Sequence, residues 1–245
     1  MQPWPASFAL LVRWRLLRLG LFLPVIVVLQ AVLSLGVVYG LPLLLPHIDA
    51  TTALYLCTGA PTLVLLLAGL AIVPQETAMA RQSGAHDYLR TLPVPPLAHV
   101  AAQITVWTLT QLPGVVLALV LGTLRFHFTL HISPLVIPVT ALVAITSSAV
   151  GYAIAVGLPV PMVTVMAQFV SLMLLLFSPI NFPLDRLPLP LRAVHQALPV
   201  EGMADLMRWS LTGSSEQAVL GEFLVVTAWC LAALWMCRRV ALARG

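Results

Sequence analysis

Six apolar runs, each about long enough to cross a bilayer and each with no charge at its centre, leave this chain one class of fold. They lie at roughly 20–45, 52–73, 98–121, 132–157, 160–180 and 218–237, and about 20 mostly apolar residues suffice for a helical span. A leucine-type residue favours insertion by roughly 0.3–0.6 kcal/mol and a central charge opposes it by about 3 kcal/mol. Backbone in hydrocarbon must satisfy its own hydrogen bonds, which separate runs of this length do as helices. Composition agrees, with 60% hydrophobic and 8% charged residues and a mean hydropathy of +1.03. The chain reads as an all-α integral membrane protein, a single transmembrane domain over residues 1–245. What lies outside the spans is too small for a soluble catalytic domain, since pieces below about 40 residues rarely fold alone.

Orientation rests on arginine, because all 12 basic residues are arginines. Arg13, Arg15 and Arg18 precede the first span, Arg81 and Arg90 lie in the second loop, and Arg238, Arg239 and Arg244 follow the last. The opposite side holds Arg125, Arg186, Arg192 and Arg208, diluted by Asp49, Asp185, Glu201, Asp205, Glu216 and Glu222. The positive-inside rule then places both termini in the cytoplasm. The net charge of +4 is a topology signal rather than a nucleic-acid footprint. A lysine-free composition rich in Ala, Leu, Val, Pro and Arg points to a GC-rich, hence bacterial, genome, and so to a multi-pass protein of a bacterial plasma membrane.

The one substantial polar segment between two apolar runs is Gln75–Val100, which carries Glu76, Arg81, Asp87 and Arg90. Pro74 should end the span before it, and the prolines of TLPVPP stop any helix after it. A short surface helix between two buried ones follows. Ahead of the first span, Trp4, Phe8, Leu11 and Val12 recur at helical spacing, the pattern of a helix lying in the membrane interface. After the fifth span, Leu191, Val194 and Leu198 mark one short external helix, and Met203, Leu206, Met207 and Leu211 mark a second, with Gly213 placed as its cap.

Within the spans, Gly36 and Gly40 form a GxxxG, and Ser147, Gly151 and Ala155 repeat its small-xxx-small spacing. Close helix contact is expected at both. Thr164, Gln168, Ser171 and Ser178 share one arc of the fifth span, opposite Met162, Met166, Phe169 and Met173. Gln103, Thr110, Gln111 and Gly114 share a face of the third. Amides are costly against lipid, so these faces turn towards protein or a wet cavity. Gln103, Gln111, Thr164, Gln168 and Ser171 are the candidate substrate path, with interhelical hydrogen bonding as the alternative role. His127 and His131 stand four apart with no third ligand, so they read as interfacial anchors rather than a metal site. Cys57, Cys230 and Cys237 fall in or at the ends of spans and read as small apolar residues, not a disulfide framework.

Two motifs carry a family resemblance. The second loop reads GAHDYLRTLPVPPLAHVAAQI, and the fifth span runs into FSPINFPLDRLPLPLRAVHQALPVEGMADLMRWSL. Together with the six spans, they resemble the permease subunit of ABC-2 type transporters, particularly exporters of drugs and natural products. Gly84, Asp87, Leu89, Pro93 and Val94 match the loop motif, while Ala85 replaces its usual Thr. Phe182, Pro183, Leu184, Leu187, Pro188, Leu191 and Arg192 match the later one, with Leu198 where Asn is usual.

The resemblance implies six transmembrane helices with cytoplasmic termini, an N-terminal interfacial helix, a cytoplasmic coupling helix and two short external helices between spans five and six. It implies a permease that pairs with a second, identical or related, and docks a separate cytoplasmic ABC ATPase through a coupling helix at about Thr77–Thr91, with Gly84, Asp87, Tyr88, Leu89 and Arg90 as contacts. ATP would be bound by that partner and no cofactor by this chain. The residues support this division independently, because a Walker A loop needs a lysine. A charge-poor interior of amides, hydroxyls and methionines suits a hydrophobic or amphipathic cargo such as a drug, antibiotic or lipid-like compound. The competing classes are an intramembrane enzyme, which would need clustered acids, histidines or an activated serine, and a secondary transporter, which would need a buried ionisable group or broken helices at midplane.

Overall fold

Proline sets where several of the helices begin. Its missing amide hydrogen costs nothing in a first turn, and its fixed φ is already helical. It occupies the first turn of α1 (Trp4–Gly20), α2 (Leu23–Leu35), α4 (Val73–Gln82), α7 (Val160–Phe177) and α8 (Pro199–Thr212). The remaining helices are α3 (Ala50–Leu67), α5 (Pro96–Phe126), α6 (Val136–Gly157) and α9 (Val219–Ala243). This computed structural model describes residues 3–43, 50–85, 88, 94–126, 133–180, 188, 198–213 and 219–243, and among them there is no strand. Six of its helical stretches are long and apolar enough to cross a membrane, in the order expected. The histidine pair at 127 and 131 and the first external helix marked by Leu191 and Val194 lie outside the described residues.

Pro42 and Pro74 do not end their spans. Each is preceded by one π-helical turn, Gly36–Gly40 and Ala68–Ile72, after which the helix continues. The Leu41 amide bonds to the Gly36 carbonyl and the Val73 amide to the Ala68 carbonyl, five residues back, and in both the proline follows next. A proline removes the donor for the carbonyl four residues before it, and its ring presses on that carbonyl; widening the ladder by one residue relieves the crowding. The second span therefore runs as one helical rod from α3 through the π turn into α4, covering Thr52–Gln82 without a break.

Small and polar side chains join leucines in the interior, while many large aliphatic ones turn outwards, as expected where lipid is the solvent. Thr62, Gln111, Ser147 and Ser148 are fully buried, whereas Leu124, Ile137, Val165 and Leu176 are each more than half exposed. The second span is the axis of the molecule, 94% buried along its central window, against 17% for the fifth and sixth spans. Its Leu63–Leu66 stretch is buried in the main apolar core, with residues of α5, α6 and α8. Gln30 and Ser34 of α2 bond to the Thr110 and Gly114 carbonyls, so the first and third spans run the same way. Cys57 against Gly122 and Thr77 against Gln103 show the second running opposite to the third. The second external helix forms as expected. Met203, Leu206, Met207 and Leu211 of α8 are buried against α3, α6 and α9, and Gly213 caps it at φ +69°, its amide bonding to the Trp209 carbonyl.

The two small-residue motifs part company. A side chain on Gly36 or Gly40 would meet nothing within 4 Å, so the expected close contact is absent there among the described residues. The face is turned outwards because the first span touches α5 and α3 through Gln30 and Ser34 of α2 and Val37 and Val38 of the π turn instead. At Gly151 the expectation holds, and the partner is Gly69 in the second π turn, whose carbonyl occupies the space a Cβ would take. That obstacle is backbone and cannot rotate away. Gly151→Val should therefore lower stability by about 3 kcal/mol, the upper end of overpacking costs, while Gly36→Ala should stay within about 1 kcal/mol. Thermal unfolding of the purified chain in mild detergent checks both.

Candidate functional site

At one end of the molecule, four helices are joined by polar side chains in an otherwise charge-poor protein. Arg15, on α1, donates to Gln103 Oε1 on α5 at 3.0 Å and to His99 Nε2 at 3.3 Å. A guanidinium only donates, so His99 accepts through Nε2 and carries any ring proton on Nδ1. Gln103 in turn donates to Thr77 Oγ1 on α4 at 2.8 Å, and Thr77 donates to the Val73 carbonyl. Burial lowers the Arg15 guanidinium to about 10; the Tyr152 charge interaction acts upwards and nearby Arg18 downwards. The group is still cationic at neutral pH. Leu11 and Phe8 of α1 seat it by packing on Ala98 and Ala102.

One turn further along α4, Arg81 donates to the Ala155 and Leu158 carbonyls at the C-terminal end of α6, the latter at 2.9 Å. A cation there satisfies carbonyls that have no amide partner and offsets the negative end of the helix dipole. The rod is thus held at two successive turns, by Gln103 through Thr77 and by α6 through Arg81. Neither Gln103 as a hub nor Arg81 as a clamp was visible in the sequence. The available signal was an arginine one turn from the end of an extended span, opposite a loop with Pro159 and no other cation.

The loop that follows departs from a single helix over Thr77–Thr91. The rod ends at Ser83, Gly84 takes φ +72°, and the chain turns back into helical geometry, the Tyr88 amide bonding to the Gly84 carbonyl at 2.9 Å. A left-handed residue interrupts a helix, and glycine adopts it without steric cost. Tyr88 is 67% exposed. Asp87, Leu89 and Arg90 lie outside the described residues.

The residues proposed for a substrate path separate into three groups. Gln103 borders a cavity between α1, α2 and α4, though both ends of its amide are engaged by protein. Gln111 is fully buried and donates to Ser148 Oγ at 2.9 Å, an interhelical bond between α5 and α6. Thr164 and Gln168 are exposed on the outer surface of α7, and half-buried Ser171 bonds back to the Ala167 carbonyl. Met162, Met166 and Phe169 are exposed too, because the buried face of α7 is carried by Val163, Ala167 and Leu174. Among the described residues no group of three possible metal ligands comes together. Cys57, Cys230 and Cys237 are buried free thiols.

A family model of the ABC-2 type transporter matches residues 7–212. The chain belongs to that family. The match runs from α1 through α8 and takes in every contact of the polar junction just described. No curated protein matches the chain. An ABC-2 permease is the multi-pass membrane component of an ABC transporter, a conduit rather than a catalyst, and such components work with an ABC ATPase. In this permease the junction should be worth more to stability than the α7 amide. Gln103→Leu strips Arg15 and Thr77 of a partner and should cost about 1–3 kcal/mol, whereas Gln168→Leu should change stability by less than about 0.5 kcal/mol. The ranking is measurable by thermal unfolding in detergent.

Proposed function

We propose that this permease is one half of an ATP-driven exporter that carries a hydrophobic or amphipathic small molecule, such as a drug, antibiotic or lipid-like compound, out of the cytoplasm or inner leaflet of a bacterial plasma membrane. The observation that carries the reading is the unbroken rod of the second span. It leads from the centre of the bundle to the Gly84 turn and is fastened to α6 by Arg81 on the way. A push at the turn would reach α3 and α6 together, which is what coupling between distant sites requires of the material between them.

In this reading the arginine-rich end is cytoplasmic, and Gly84, Asp87, Tyr88, Leu89 and Arg90 form the surface that receives the ATPase. Exposed Tyr88 would enter an apolar groove, with the charges setting orientation. ATP binds to the partner subunit and this chain needs no cofactor. The packing of Leu63–Leu66 leaves the centre of one chain solid, which favours a path outside it. The α7 surface is the natural wall, since Thr164 and Gln168 stand there with the methionines, and an amide at mid-span is costly against lipid. A second permease, identical or related, facing that surface would complete the path.

Affinity purification from native membranes in mild detergent, with an ATPase assay and identification of retained proteins, tests the proposal. A P-loop ATPase should co-purify, and Tyr88→Ala should reduce its recovery at least about tenfold, the worth of an interface hot spot. Arg81→Gln should keep the ATPase bound yet lower cargo-stimulated hydrolysis severalfold, separating docking from transmission. Recovery of the bare chain under conditions that hold other transporters together would overturn the reading.

A further inference from the structure

A cavity of about 780 Å³ opens beside the polar junction, within the roughly 300–1,000 Å³ range of ligand sites. It has three walls. Along α1 and α2, Arg15, Arg18, Phe22, Ile26 and Leu29 follow one another at helical spacing. The second span contributes Val64, Ala68, Ile72, Glu76 and Ala80, again one stripe, and α5 closes the back with His99, Gln103 and Trp107. Phe22, Val25 and Leu29 are more than half exposed, so the mouth faces sideways, where lipid would be.

The lining is graded along its length. Arg15, Arg18, Glu76, His99 and Gln103 gather at one end, and Ile26, Leu29, Leu33, Val64 and Ala68 at the other. The polar end coincides with the interfacial helix and the apolar end with mid-span. Among the formally charged lining residues, two arginines face one glutamate. Arg15 and Arg18 repel each other, and two like charges beside one cavity favour an anion between them.

We infer that this cavity holds one phospholipid of the facing leaflet, its headgroup phosphate between Arg15 and Arg18 and one acyl chain along the Ile26–Leu29–Val64 trough. A phosphate relieves the repulsion between the two guanidiniums and is the anion their planar donors bind best. The excess positive charge favours an anionic over a zwitterionic headgroup. Such a lipid would wedge α2 against α4, the stem of the proposed coupling rod, but its binding requires neither nucleotide nor ATPase.

Native mass spectrometry of the full chain, released from neutral detergent after titration with phosphatidylglycerol or phosphatidylcholine of the same acyl composition, tests this. Wild type should retain one phosphatidylglycerol in preference to phosphatidylcholine. Arg18→Gln should weaken that retention roughly fivefold, the worth of one basic residue near an anionic surface, and Arg18→Lys should largely restore it. Ile26→Trp, which fills the trough, should abolish lipid retention. Arg239→Gln, at a cation stacked on Trp235 in α9, should not change it. Equal retention of the two lipids, or unchanged retention in Arg18→Gln, overturns the inference. So does displacement of the lipid by millimolar inorganic phosphate in wild type with phosphate bound equally by Ile26→Trp, which would mark a free-anion site. A monodisperse elution profile certifies each variant as folded, and every arm is independent of transport.

Discussion

Pro74 has no amide hydrogen, and the consequences of that missing donor run through half the molecule. The ladder answers with the π turn at Ala68–Ile72, and a wider turn rotates everything beyond it relative to everything before. It puts Gly69 against Gly151, where only hydrogen atoms fit between two backbones. It also aims α4 so that Thr77 meets Gln103 and, one turn on, Arg81 meets the end of α6. Remove the extra residue from that turn and Thr77 and Arg81 swing by roughly 100°, away from both partners. The polar junction, the closeness of α6 and the direction of the stem are three results of one local adjustment.

Much of this architecture was legible in the residues, and what was not shares a common cause. Length and apolarity locate spans whatever surrounds them, and Gly213 caps α8 because the chemistry of a cap is local. The spacing of Phe8 and Leu11 likewise reports the buried side of α1 directly. Which side of a span faces protein is another matter when lipid and protein interior are equally apolar. Leu63–Leu66 reads the same at the centre of the bundle as it would at its rim, and Gly36 with Gly40 reads the same in contact or out of it. The rod beyond Pro74 was hidden for a different reason. Proline is a stop signal in the propensity of isolated helices, and only packing against α6 makes the π turn a better outcome than a break.

The candidate site divides the same way. Gln103 and Gln111 were marked as polar groups needing company, and they have it, but their partners Arg15, Thr77 and Ser148 come from three other helices, and no local pattern pairs them. Tyr88 and Gly84 sit at a turn rather than within one helix, because a left-handed glycine was read for its motif and not for its geometry.

Consider finally what a solid centre implies for a conduit. The span that carries the stem is the most enclosed element, while the first, fifth and sixth spans are mostly uncovered. Close-packed interiors resist continuous deformation and move as units. A force on the stem therefore displaces α3, α6 and their neighbours as a body, and relative motion concentrates where contacts are thin. One such seam is the buried face of α7, with Val163, Ala167 and Leu174, by which that span hangs on the bundle. Thr164 and Gln168 ride on the outside of that seam. In the proposed exporter, the small movement delivered by the rod would be spent at α7, changing the outline of the path without opening the core that transmits it.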